Sequence, residues 1–120
     1  KAVGVVMPRL KGKMNGIAVR VPTPDGSLVD LTVGLKKNAT VEKINKAMRA
    51  AAGRSLRGIL EYTDDPIVSV DVVGNPHSSI FDGASTMQIK PRVFKLLAWY
   101  DNEYGYAMRM VDMARWIATR

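Results

Sequence analysis

Apolar and polar residues alternate along two stretches near the start of the chain. In Ile17–Val21 the apolar side chains are spaced by Ala18 and Arg20, and in Val29–Leu35 by Asp30, Thr32 and Gly34. A period of two predicts half-buried strands. Pro22, Pro24 and the Asp25-Gly26 pair lie between them and predict a turn, so the two runs read as a hairpin. The period then changes. Val41, Ile44, Ala47, Met48 and Ala51 recur at helical spacing, with Thr40 as the N-cap, Glu42 in the first turn and Gly53 at the stop. Beyond it, Ile59–Tyr62, Ile67–Val73, Ser78–Phe81, Thr86–Ile89 and Val93–Tyr100 read as short strands. Gly74-Asn75-Pro76 and Asp82-Gly83 separate some of them as turns. A last helix is expected over Glu103–Ala118, capped by Asp101 or Asn102. Its apolar residues (Tyr104, Met108, Val111, Met113, Trp116, Ile117) lie nearly all round it, which predicts deep burial against a sheet or a partner. Strands interrupted by few helices point to an α+β fold, a mainly antiparallel sheet with flanking helices.

The first residues are less regular. Lys1–Met7 reads as the tail of a helix that Pro8 ends. An element that begins in mid-pattern suggests a piece of something longer.

Composition narrows the function classes. The 120 residues include 47% apolar and 24% charged residues, a globular balance for one small domain. No apolar run is long enough to span a membrane, and no basic-then-apolar leader opens the chain. With no cysteine there is no disulfide framework, thiolate metal site or cysteine nucleophile. The net charge of +7 is compatible with an anionic ligand, but its cations are scattered, densest at Arg9, Lys11 and Lys13 and at Lys36–Lys37. A solvated surface accounts for them. No aromatic-interleaved nucleic-acid motif is present.

Few constellations carry chemistry. His77, the single histidine, follows Pro76 and precedes Ser78-Ser79, and a structural or surface role outweighs a catalytic one. Asp64-Asp65, Asp71, Asp82 and Asp101 show no calcium-loop spacing. The glycines make no phosphate-cradling loop. Arg20 is a long cation beside a stiff turn. Its planar fork suits phosphate oxygens, although composition alone favours an outward strand arginine paired with a carboxylate. Asn102 reads either as a helix cap or as an amide that recognises another amide.

Taken in order, several segments resemble the phosphorylating glyceraldehyde-3-phosphate dehydrogenase family. They are Gly16-Ile-Ala-Val-Arg20-Val-Pro-Thr-Pro24, Val29-Asp30-Leu31-Thr32-Val33, Leu56-Arg-Gly-Ile-Leu60, Val68-Ser69-Val70-Asp71, Ser78-Ser-Ile-Phe-Asp82 and Trp99-Tyr-Asp-Asn-Glu-Tyr-Gly-Tyr106, followed by Arg109 and Val111-Asp112. The resemblance covers essentially all of residues 1–120 and implies the C-terminal segment of the catalytic domain, with the NAD-binding Rossmann domain absent from this chain. It implies a cytoplasmic, homotetrameric glycolytic oxidoreductase that oxidises and phosphorylates glyceraldehyde 3-phosphate with NAD or NADP. By that resemblance Arg20 contacts substrate and inorganic phosphate, Asn102 holds the nicotinamide carboxamide, and Tyr106 lies near the nicotinamide. The catalytic cysteine and histidine of the family precede this segment, so no catalytic residue and no metal ligand is expected here. The chain alone is expected to be inactive and to bind no cofactor. Tyr104 stands where the family often has tryptophan, and Asp25-Gly26 where it often has Asn-Val, which leaves the subfamily open. The alternatives are an erythrose-4-phosphate dehydrogenase and a non-catalytic binding or scaffold domain.

Overall fold

The computed structural model describes residues 2–120, so Lys1 of the first expected helix lies outside it. The rest of that element is a short helix α1, Ala2–Val6, and Pro8 opens a 3-10 turn to Leu10. Four strands follow, β1 (Ser27–Gly34), β2 (Leu60–Thr63), β3 (Ser79–Lys90) and β4 (Val93–Tyr100), with helices α2 (Val41–Gly53) and α3 (Tyr104–Ala118). They form one sheet in the order β1-β4-β3-β2. The β1–β4 and β3–β4 pairs are antiparallel, and β2–β3 is parallel. The fold is therefore α+β, mostly antiparallel, with flanking helices.

The second helix follows its sequence signals closely. Thr40 accepts a hydrogen bond from the Lys43 N–H at 3.3 Å, which satisfies one of the orphan donors of the first turn. Val41, Ile44, Met48 and Ala51 turn inward, whereas Ala47 is exposed and Asn45 takes an inward place instead. There the Asn45 amide donates to the Gly83 carbonyl at 2.8 Å, pinning α2 to β3. A second tie reaches β2. Arg49 pairs with Asp64 and lies over the Tyr62 ring, 4.2 Å from its centroid, and Tyr62 stacks on Phe81 at 5.8 Å. The side chains of Leu60, Val72, Ile80, Phe81 and Phe94 form a small core.

Five sequence expectations fail. Residues 17–21 form no strand, and Ile17 is 92% exposed. The expected hairpin is not made, because β1 takes β4 as its partner in unbroken register from Ser27↔Tyr100 to Gly34↔Val93. Within Ile67–Val73 the chain closes into a 3-10 turn, Ser69–Val72. There the Asp71 carboxylate accepts from the Val68 N–H at 2.8 Å, a local bond that competes with strand pairing. Asp82-Gly83 does not separate two strands but sits inside β3, where the register against β4 shifts between Asp82 and Met87. The Asp82 carboxylate accepts from the Ser85 N–H at 2.9 Å, and a Cβ at Gly83 would collide with the Tyr62 ring, so the pair forms a glycine bulge. Finally, α3 is not deeply buried, since Gly105 alone of its residues is enclosed. The helix is held near its start, where Gly105 abuts the His77 backbone and Arg109 donates to the Gly58 carbonyl at 3.0 Å.

Gly26 fixes how the chain enters β1. Its φ is +85°, and a Cβ there would lie 2.6 Å from the Ser69 carbonyl oxygen. Both the backbone and the space exclude a side chain. Gly26→Ala is expected to destabilise by about 2 kcal/mol. Gly53→Ala, at a helical glycine with open space around it, is expected to stabilise by about 0.5 kcal/mol. Equal midpoints for both variants in urea denaturation would contradict this reading of Gly26.

Candidate functional site

The site is assembled by the β1–β4 ladder. Because Ser27 lies opposite Tyr100, the first residue of β1 stands beside the segment that leaves β4 toward α3. Asp101 is the anchor of that segment. It is only 3% exposed, and its carboxylate accepts from the N–H groups of Tyr104 at 2.7 Å, Gly74 at 2.8 Å and Glu103 at 2.9 Å. Burial pushes this carboxyl up, but the N–H groups of Tyr104, Gly74 and Glu103, with help from Asp25, outweigh burial. The net effect holds it below the usual carboxylate value.

Asp101 is therefore the cap of α3, and Asn102 is not. The Asn102 side chain is exposed, and its Oδ1 accepts a hydrogen bond from the Ser27 hydroxyl at 3.1 Å. The simple capping role falls to Asp101, because the Asn102 oxygen accepts from Ser27 while the N–H groups at the helix start go to Asp101. Tyr106 lies on α3 and is 68% exposed. Arg20 is exposed on the irregular chain leading to β1, and no carboxylate among the described residues holds it in an ion pair. The outward arginine paired with an acid is thus not realised. The fold brings Asn102 to Ser27, seven residues beyond Arg20, and among the described residues no hydrogen bond joins Arg20 or Tyr106 to Asn102.

The surrounding groups limit the chemistry. A shallow groove of about 420 Å³ beside Asp101 is lined by Asp25, Val73, Gly74, Glu103 and Tyr104. Its carboxylates repel anions, so it does not suit a phosphate. His77 serves the structure: its Nδ1 lies 2.9 Å from Asn75 Oδ1 and 3.0 Å from Glu61 Oε2, and Asn75 donates to the same Glu61 oxygen at 2.7 Å. That network ties β2 to the turn before β3. Among the described residues no group of three or more acidic or histidine side chains is placed to hold a metal, and no helix is long and apolar enough to cross a membrane.

A family model described as glyceraldehyde 3-phosphate dehydrogenase, C-terminal domain, matches residues 1–102. The chain belongs to this family. Over its full length it is 55% identical to a glyceraldehyde-3-phosphate dehydrogenase of Caenorhabditis elegans and 52% identical to one of Bacillus subtilis. Over 96% of its length it is 57% identical to the enzyme of Borreliella burgdorferi. In each case it spans 35% of the relative's length. Within a glyceraldehyde-3-phosphate dehydrogenase C-terminal domain, then, the Ser27–Asn102 contact joins the start of one edge strand to the turn before the last helix. Asp101 was visible in sequence as a cap alternative. Ser27 carried no signal, because the contact depends on pairing strands that lie far apart in the chain.

Proposed function

We propose that this chain is the positioning segment of a phosphorylating glyceraldehyde-3-phosphate dehydrogenase. The complete enzyme oxidises glyceraldehyde 3-phosphate in the glycolytic direction and captures the acyl group with inorganic phosphate. The observation that carries this reading is the identity with glyceraldehyde-3-phosphate dehydrogenases along the whole chain. The names of those relatives favour it over an erythrose-4-phosphate dehydrogenase or a scaffold domain.

In this reading Arg20 binds the phosphates. Its support is an exposed guanidinium free of any acid partner, which offers two parallel N–H donors to phosphate oxygens. Asn102 holds the nicotinamide carboxamide, and Tyr106 lies along the nicotinamide. The residues here fit only that end of NAD or NADP: the amide of Asn102 has N–H donors to give a carboxamide oxygen, while no glycine-rich loop cradles a pyrophosphate. When bound, the nicotinamide would supply a hydride acceptor, and Asn102 would hold its carboxamide. The nucleotide-binding domain, the nucleophilic cysteine and its base belong to the part of the relatives' length that this chain does not span. A cytoplasmic homotetramer is the assembly this reading carries.

The test is kinetic and uses the complete enzyme. Arg20→Ala is expected to lower kcat/KM for glyceraldehyde 3-phosphate by about 10- to 150-fold, the equivalent of one lost charge-assisted contact. The parent should prefer glyceraldehyde 3-phosphate to erythrose 4-phosphate. Unchanged kinetics for substrate and inorganic phosphate would remove Arg20 from the site, and the opposite preference would change the substrate.

A further inference from the structure

We propose that Ser27 is a positioning residue for the cofactor, acting through Asn102; this rests on the reading of Asn102 given above. An asparagine amide has an acceptor oxygen and two N–H donors, and rotation by half a turn exchanges them. Left alone on an exposed turn, Asn102 would present either. Two contacts limit where the amide can sit. Below it, Asp101 accepts from the N–H groups of Glu103 and Tyr104, which brackets the Asn102 backbone on a buried carboxylate. Beside it, the Ser27 hydroxyl donates to Oδ1 at 3.1 Å. That bond ties one end of the amide to the start of β1, so the side chain is held in place and its other end is left to a ligand.

An amide held at one end presents the other in a fixed place. Toward a carboxamide, itself a donor and an acceptor, that end sets where the ring carrying it is bound. Ser27 therefore acts on the cofactor through the placement of Asn102. Its own place is set by Gly26, whose left-handed backbone lies against the Ser69 carbonyl, and by the β1–β4 register.

The experiment uses the complete enzyme and measures binding of NAD and of ADP-ribose, which lacks the nicotinamide. Ser27→Ala is expected to weaken NAD binding about fivefold, the worth of one neutral hydrogen bond, and to leave ADP-ribose binding unchanged. Ser27→Thr keeps the hydroxyl and should bind NAD like the parent; Ser27→Val, of the same shape without it, should repeat the loss with strand preference maintained. In an Asn102→Ala background, Ser27→Ala should have no further effect, because its target is gone. The proposal is overturned if Asn102→Ala weakens NAD while Ser27→Ala and Ser27→Val do not. It is also overturned if the Ser27 and Asn102 losses simply multiply. If Asn102→Ala itself binds NAD like the parent, the reading of Asn102 fails first, and Ser27 loses its role with it. Equal loss of NAD and ADP-ribose binding in the Ser27 variants would mark a general distortion and also reject the proposal.

Discussion

Supplied with glyceraldehyde 3-phosphate, inorganic phosphate and NAD, the 120-residue chain alone is expected to give no NADH above a no-protein control. Two independent arguments lead there. The chain has no cysteine, so no thiolate is present to attack the aldehyde. Binding also falls short. One arginine–phosphate contact is worth about 1.5–3 kcal/mol and one neutral amide hydrogen bond about 1 kcal/mol. Even millimolar affinity needs about 4 kcal/mol, and Arg20 and Asn102 would bind different molecules. Absorbance at the NADH band over hours is a sufficient assay. Turnover by the chain would mean that the chemistry resides in residues other than those assigned here.

The largest stability effect is expected at Asp101. Asp101→Ala leaves three N–H groups, those of Gly74, Glu103 and Tyr104, without their acceptor beneath the turn. A fully buried orphan donor costs about 1–3 kcal/mol; these three are part-buried and water relieves some of the cost, so the loss should be about 3–5 kcal/mol. Asp101→Asn keeps an oxygen for the helix start but gives up the negative charge that favours a helix N-terminus, and should cost about 1–2 kcal/mol. The pH dependence follows from the direction of the shift. Because the folded carboxyl titrates below its unfolded value, its stabilisation is fully present above the unfolded value, near pH 4. It is lost as pH falls through the folded one. Urea midpoints measured at pH 7 and again near pH 3 should therefore fall further for the parent than for Asp101→Asn. Parallel losses in the two proteins would detach acid sensitivity from this group.

Which parts of the fold were legible depends on the range of the forces that decide them. Thr40, Glu42 and the spacing from Val41 to Ala51 act within a few residues, and α2 forms where they place it. The alternation of Val29, Leu31 and Val33 does mark a strand, but alternation names a face and not a partner. The nearby Asp25-Gly26 pair favours a hairpin, yet β1 joins β4 instead. Asp82-Gly83 looks like a turn to any local rule; only the Tyr62 ring against Gly83 shows why a glycine is needed inside a strand. Ile17, Val19 and Val21 have strand character and no strand partner among the described residues. For the site, Arg20 and Asn102 stood out through ordered motifs, whereas Ser27 is an ordinary serine until the sheet closes.

The span of that closure has a consequence for biosynthesis. Ser27 and Asn102 are separated by 75 positions. Ribosomes add roughly 5–20 residues per second, so β1 leaves the exit tunnel seconds before β4 exists to pair with it. During that interval Val29, Leu31 and Val33 belong to a strand with an open edge, the kind of surface that recruits other nascent chains. Ordering such a long intervening loop is also slow. Closure of the Ser27–Asn102 contact is thus among the last acts of folding this sheet, and a ribosome that stalls before Tyr100 releases a chain whose β1 is still searching for its neighbour.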